Sequence, residues 1–477
     1  MPGRGAESVV RRGFDYDQWL HGGGRPPQGQ WKSRDIEHLV LVVHGIGQKL
    51  SERVETFDFT YAINTFRVLM AKQHERMSTA QSPPAVLPVN WRRKIDFDYD
   101  EASLSGPGQL AETRETPIHR PFALSDITPN TIPTVRNIIS DVLLDIPYYL
   151  SKHRSRILHA VTAEANRIYR LWMRNNPGWH GKISIIGHSL GSVIAVDILS
   201  RQPTVPPPLG SQNEHRSEDD DLVLEFPVRN LFLAGSPVGF FLLLNRTNLM
   251  PRIMSKARLS SVVMNMPKMD DDAGYERPDP ADLEPERIGI DRGGVYGCLA
   301  VENIYNVIHT SDPIAYRLNP CVDPSYAAKL RPADLALPIT GRGIFGKLFF
   351  RRCKEPDDSH ERRVSGARKD MDSADSAGYS FTREPTSSSR EGSQIELDSR
   401  DFRYYQVIKT RMHCLNENGQ IDFVLQPTGA LENQYISILT AHSGYWESKE
   451  FAYLVALECS RKEGVENTFE SFRALRK

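Results

Sequence analysis

Cysteine is scarce in this chain. There are five in 477 residues, at positions 298, 321, 353, 414 and 459, with no C-x-x-C pair. That spacing argues against a disulfide framework and against a structural zinc site, and it fits a reducing compartment. An excess of one charge is also missing. Lys and Arg number 59 against 60 Asp and Glu, a formal net charge of −1, so no global basic field draws the chain to nucleic acid. Long hydrophobic runs are absent. The densest, "VGFFLLL" (238–244), falls far short of the roughly 20 apolar residues of a membrane-spanning helix. The stretch "MPGRGAESVVRRGFDYDQWL" lacks the apolar centre of a signal peptide. Hydrophobic residues make up only 39% of the chain, which predicts a sizeable core together with some disorder. The expectation is a soluble protein.

What is present is an alternation of strand and helix patterns. "HLVLVV" (38–43) is a continuous β-branched run that stops at "HGIG", as a strand buried on both faces would. A helix is expected over 51–76 and a strand over 85–91. Residues 124–177 are mostly helical, with Ile138, Ile139, Val142, Leu143 and Ile146 near one face. "KISIIG" (182–187), "VRNLFLAG" (228–235) and "VENIYNVIH" (301–309) are further strands, and "SVIAVDILSRQ" is a helix. "FRYYQVIKTRMHCLNENGQIDFVLQ" (402–426) holds Asn418-Gly419 between two β-rich runs, a hairpin signal. "YISILTAH" (435–442) is the last strand expected. A helix over 448–462 follows, with Ser448 as its N-cap. The pattern predicts an α/β-hydrolase-like fold with a mostly parallel sheet flanked by helices and interrupted by polar insertions such as 210–221 and 268–287. Four segments are expected: a poorly ordered lead-in (1–34), the hydrolase core with its nucleophile elbow and helical insertion (35–352), a disordered insert (353–400), and a part that completes the core (401–477). The insert carries ten serines among alternating charges and too little apolar surface to offset its ordering entropy.

The chemistry points to "IIGHSLGSVI" (185–194). It contains G-x-S-x-G as Gly187-His188-Ser189-Leu190-Gly191, between a strand and a helix, which is the context that distinguishes a nucleophile elbow from an ordinary turn serine. A turn this tight holds Ser189 in a strained conformation. Side chains at Gly187 and Gly191 would collide with it. A nucleophile needs an oxyanion hole, for which the backbone N–H of Leu190 and of Ile46 or Gly47 in "HGIG" are candidates. It also needs an acid and a base. In this fold the acid follows the strand two places beyond the nucleophile strand, which selects Asp312 in "TSDPIAYR" over the alternative of a mere Asx-turn aspartate. The base belongs after the last strand, which selects His442, with His413 ranked second. His309 lies too near Asp312 along one strand. His188 is expected to be structural.

Seven blocks occur in order: "LVVHGIGQ", "LPVNWR", "ISIIGHSLGSVIAVDIL", "FLAGSPVG", "YNVIHTSDPIAYRLNP", "GQIDFVLQ" and "AHSGYWES". Together they resemble the DDHD-domain family of intracellular phospholipases A1, which prefer phosphatidic acid and related lipids. The resemblance places the four name-giving positions at Asp312, Asp422, His442 and Glu450, the last a glutamate where the family has aspartate. Such a donor set has invited a metal-binding reading. The spacing shows no local metal site, so a Ser189–His442–Asp312 triad with no cofactor is the preferred reading.

The function expected is therefore a phospholipase A1-type carboxylic ester hydrolase. It would work through an acyl-enzyme, in the cytoplasm, at the surface of intracellular membranes. The expected partners are a membrane phospholipid and an acidic membrane surface, not nucleic acid. A triacylglycerol or other ester lipase is the alternative within the chemistry. A non-catalytic membrane-trafficking adaptor is the alternative outside it. Two stretches are candidates for touching lipid, 126–156 and the aromatic, basic "GRGIFGKLFFRRCK" (341–354).

Overall fold

The computed structural model describes residues 36–45, 59–77, 81–92, 145–151, 153–204, 222–253, 256–267, 285–337, 403–426 and 441–476. The chain divides into two compact units, residues 1–336 with 405–477, and residues 337–404. The second lies almost wholly outside the described residues. So do the lead-in 1–34, residues 51–58 of the first expected helix, most of 126–156, the polar loops, the stretch 341–354, the insert 353–400 and residues 435–440 of the last expected strand.

The first unit is built on a parallel sheet. In chain order its strands are β1 (His38–Val43), β2 (Ala85–Pro88), β3 (Lys182–His188), β4 (Val228–Ala234), β5 (Val301–His309), β6 (Ala333–Asp334) and β7 (Asp422–Leu425). They lie side by side as β2-β1-β3-β4-β5-β7-β6, every pair parallel. The register runs Val42 beside Ile186, Ile186 beside Phe232, and Phe232 beside Tyr305.

The helices packed on it include α1 (Phe59–Arg76), α2 (Arg154–Asn175), α3 (Leu190–Arg201), α4 (Val238–Leu244), α5 (403–415) and α6 (Lys449–Ser460). Both faces of the sheet are covered, which is why β1 reads as a continuous apolar run rather than an alternating one. Leu39, Leu41, Ile183, Ile185, Leu231 and Ile304 form one core with α2 and α3. Val40, Val42, Ile186, Phe232, Tyr305 and Val307 form the other with α1 and α6. The stripe Phe59, Ile63, Phe66 and Met70 of α1 packs there, Phe66 meeting Phe451 of α6 with ring centroids 5.2 Å apart. The Ser448 N-cap is as expected, its hydroxyl accepting from the Phe451 amide at 3.1 Å.

The hairpin expected over 402–426 is not formed. Residues 403–415 are the helix α5, and only Asp422–Leu425 is a strand, pairing in parallel with β5. The physical reason is periodicity: Ile408, Met412 and Leu415 are buried at helical spacing. Asn418-Gly419 still turns the chain, with Gly419 at φ 74° and its N–H donating to the Asn416 carbonyl at 2.8 Å. The turn leads from a helix into a parallel strand, so the two arms never pair. His413 therefore stands on α5, buried, with Nδ1 donating to the Glu417 carbonyl at 3.3 Å, and it is no candidate base.

Four buried imidazoles carry a consequence for stability. Burial pushes His38, His188 and His413 down to about 3 and His44 down to about 4. An unfolded chain takes up protons at these residues near pH 6.5, while the folded one does so only near 3 to 4. Stability is thus lost as pH falls below 6.5, by about 1.4 kcal/mol per pH unit for each histidine. The urea midpoint is expected to drop steeply between pH 7.5 and 5.5; an unchanged midpoint would contradict the burial of neutral imidazoles.

Candidate active site

The site is assembled at the carboxyl ends of β1, β3, β4 and β5, where the chain reverses direction across the sheet and open α/β folds leave a crevice. Ser189 sits between β3 and α3 with φ 54° and ψ −130°. It is one of two non-glycine residues with positive φ among those described. Such a conformation is sterically costly, and persists where the surroundings impose it. Here the Ser189 N–H donates to the Ala234 carbonyl at 3.0 Å, and the Ser192 N–H closes onto the Ser189 carbonyl at 3.0 Å. The two elbow glycines are demanded by space. A Cβ on Gly187 would lie 2.6 Å from the Ser192 Cα, and one on Gly191 would lie 2.3 Å from the Val43 carbonyl oxygen. Helix α3 is thereby pressed against the end of β1, with its amide terminus directly behind Ser189. Gly191→Ala is expected to lower the unfolding free energy by about 1–3 kcal/mol through overpacking. Thermal unfolding measures it, and an unchanged midpoint would mean that α3 and β1 are not in contact.

Asp312 lies in the turn after β5. Its carboxylate accepts from the Ile314 N–H at 2.9 Å, an Asx turn, and so the structural role the sequence allowed is real. The same carboxylate also does more. The Nδ1–H of His442 points at both oxygens, 3.1 Å from Oδ1 and 3.0 Å from Oδ2. The Tyr445 hydroxyl donates to Oδ2 at 2.8 Å while accepting from the His309 N–H at 2.9 Å. The Asp312 side chain is fully buried, and that of His442 is 12% exposed. Burial pushes the Asp312 carboxyl up. The hydrogen bond and charge of His442, the Ile314 amide and the Tyr445 hydroxyl outweigh it and hold the group below the ordinary carboxylate range.

His442 stands in a turn at 442–443, just after the helical Ala441. With Nδ1 committed to Asp312, its Nε2 is buried without a hydrogen-bond partner. Gly235, at φ 57°, makes room for it. A Cβ there would lie 2.8 Å from Asp312 Oδ2 and 3.1 Å from His442 Cε1. Gly235 follows Ala234, whose carbonyl holds the Ser189 amide. A second tie runs through His188. Its Nε2–H donates to the His442 backbone carbonyl at 2.8 Å, and the two rings are 5.0 Å apart. Burial pushes the His188 imidazole down to about 3 and keeps it neutral. Asp312 and His442 therefore meet directly, and Ser189 is tied to them through its neighbour His188 and through its own amide on Ala234, next to Gly235. Leu190 is buried at the start of α3. Ile46 and Gly47 lie outside the described residues.

The other two name-giving positions do not join the cluster. Asp422 is buried on β7. Its Oδ1 accepts from Asn306 Nδ2 at 2.9 Å and the Leu318 N–H at 2.8 Å, and its Oδ2 from the Asn319 N–H at 3.0 Å. Burial pushes its carboxyl up against these bonds. Glu450 sits in the first turn of α6 and accepts from the Ser448 hydroxyl at 3.1 Å. Among the described residues, no three or more His, Cys, Asp or Glu side chains are grouped to hold a metal ion.

Two contributors escaped the sequence reading. Tyr445 was visible only as a residue three beyond His442. The His188 bond to the His442 carbonyl spans 254 positions of sequence, and no local pattern announces it.

The order of strands around the Ser189 turn, with Asp312 after β5 and His442 beyond β7, is that of an α/β-hydrolase-like protein. The DDHD domain matches in two segments, residues 224–399 and 351–459. The chain belongs to the DDHD-domain family. It is 31% identical over 462 residues to a probable mitochondrial phospholipase of Schizosaccharomyces pombe, covering 88% of this chain and 54% of that protein. It is 24% identical to phospholipase DDHD1 of Mus musculus, over 88% of this chain and 87% of that protein. It is 25% identical to triacylglycerol hydrolase DDHD2 of Mus musculus, over 90% of this chain and 69% of that protein. The chain spans about half the length of the two yeast relatives it matches. No solved structure matches it.

Proposed function

We propose that this chain is a serine ester hydrolase of phospholipase A1 type, releasing a fatty acid from a glycerophospholipid such as phosphatidic acid. The observation that carries the reading is the Asp312–His442 pair. One imidazole nitrogen is held on a buried carboxylate at 3.0 Å, and the other is left without a partner on the rim that bears Ser189. In this scheme His442 Nε2 takes the Ser189 proton as Oγ attacks the ester carbonyl. Asp312 keeps the imidazole in the right tautomer and stabilises the imidazolium. The N–H of Leu190 and that of Ile46 or Gly47 receive the oxyanion. His442 then returns the proton to the departing lysolipid alkoxide. Water, deprotonated by the same imidazole, cleaves the acyl-enzyme and restores Ser189.

The reading uses no metal, since Asp422 and Glu450 serve partners of their own, and the donor set is divided among three places in the fold. The names of the relatives favour a lipid ester as substrate, and one of them is a triacylglycerol hydrolase by name. Triacylglycerol is therefore the second substrate to test. None of the described helices is long and apolar enough to cross a membrane. Peripheral attachment to an intracellular membrane is the corresponding proposal, with the mitochondrial membrane a specific candidate from the names of the yeast relatives.

A fluorophosphonate probe, followed by a panel of phosphatidic acid, phosphatidylcholine and triacylglycerol, tests the proposal. Labelling together with release of the sn-1 fatty acid is expected. An unlabelled, well-folded protein would favour the adaptor alternative.

A further inference from the structure

We infer that the outer face of α4, with the loop that follows Asp312, is a docking surface for an anionic lipid bilayer, placed so that the site opens onto the lipid. The inference rests on the lipid-hydrolase reading and adds the place where the membrane meets the protein. Helix α4 is seven residues long and nearly all apolar, "VGFFLLL". A helix turns about 100° per residue, so a continuous apolar run cannot be buried on one side. Val238, Phe241 and Leu242 face the core. Leu243 is left 73% exposed and Leu244 52% exposed. Tyr316, 46% exposed, packs on the same helix, its ring stacked on Phe240 with centroids 5.9 Å apart.

This surface is tied to the reaction site by direct bonds. The Tyr316 N–H donates to the Ser236 carbonyl at 2.9 Å, and the Ser236 hydroxyl is 2.7 Å from that of Ser192, in the first turn behind Ser189. The loop carrying Tyr316 begins at Asp312 itself. A lipid whose chains lie against Leu243, Leu244 and Tyr316 thus has its ester region at the rim of the site.

Charge selects the occupant. Residues 239–248 and 313–317 contain no Asp or Glu. They contain Arg246, exposed at the end of α4, and Arg317, whose side chain is 55% exposed and only 3.9 Å-paired with buried Asp422. Leucines and a tyrosine with two exposed arginines on the same elements match the two-part attraction of a surface-bound protein: apolar insertion below the headgroups and cation contact with anionic headgroups.

The test is sedimentation of the full chain with vesicles of phosphatidylcholine alone and of phosphatidylcholine mixed with phosphatidylserine. The unmodified protein is expected to sediment with the mixed vesicles. The double variant Leu243→Ser/Leu244→Ser is expected to bind them at least about tenfold more weakly. Arg246→Glu is expected to lower binding to the mixed vesicles toward the level seen with phosphatidylcholine alone. Each variant is also labelled with the fluorophosphonate probe, and unchanged labelling shows that the fold and site survive. Binding of the double variant equal to that of the unmodified protein would overturn the inference. So would failure of the unmodified protein to sediment with mixed vesicles, or a concentration-dependent dimer that the double variant abolishes, since a second copy would then cover the face. Failure of the unmodified protein to label strikes the hydrolase reading instead, and it is read in a separate assay.

Discussion

Ser189→Ala is expected to abolish fluorophosphonate labelling and to lower ester hydrolysis by about 10⁴-fold or more, with the fold intact. Each part of that expectation has a structural cause. Ser189 is partly accessible at the end of β3, and its hydroxyl is absent from the hydrogen bonds that hold the elbow closed. Those bonds use its amide and carbonyl, which alanine retains. Losing the hydroxyl therefore removes the nucleophile and leaves the turn. The strain at φ 54° is common to serine and alanine, so the thermal midpoint should move little. His442→Ala should cost nearly as much in rate, and the double variant little more, because a nucleophile and its base act as one unit. Labelling that survives Ser189→Ala would place the reactive group elsewhere and remove the proposed mechanism.

Asp422→Ala is the second large effect, and it falls on stability. The carboxylate is buried and accepts from Asn306, from the Leu318 amide and from the Asn319 amide. Alanine leaves three buried donors without an acceptor, and the expected loss is about 3–5 kcal/mol, read as a shift in the urea midpoint. Asp422→Asn keeps one carbonyl oxygen and should lose less. The bonds from Leu318 and Asn319 pin the far end of the loop that starts at Asp312, so Asp422 holds the acid's loop down from the neighbouring strand. Below its lowered melting temperature, Asp422→Ala should still label with the fluorophosphonate probe. A folded variant that no longer labels would instead give Asp422 a direct part in the reaction.

The elbow was legible because its constraints are local. Steric exclusion at Gly187 and Gly191 acts between residues a few positions apart or across one tight strand–helix contact. The position of Asp312 was legible through strand counting, because parallel strands buried on both faces have a recognisable composition and Asp312 follows one of them. The helix at 403–415 was misread as a strand because its apolar residues are interleaved with buried polar ones. Gln406, Lys409, Thr410 and His413 are all buried, which blurs the helical period, and Asn418-Gly419 gives the same turn signal whatever its two arms become. Tyr445 and the His188 bond to the His442 carbonyl depend on chain segments that meet only after folding.

By itself the amino-acid sequence determined the sheet's apolar strands, the strained serine between its two glycines, the position of Asp312 in the turn after a strand, and the membership of a family. These follow from short-range sterics and from periodic burial, both of which act along a few consecutive residues. Tertiary structure alone decided that Tyr445 shares the Asp312 carboxylate with His442 and that Asp422 anchors a loop through Asn306, Leu318 and Asn319. It also decided that Leu243 and Leu244 are left facing outward beside the site. Those outcomes depend on which side chains from distant segments compete for the same buried donors and the same core volume, and that competition is settled only when the sheet closes.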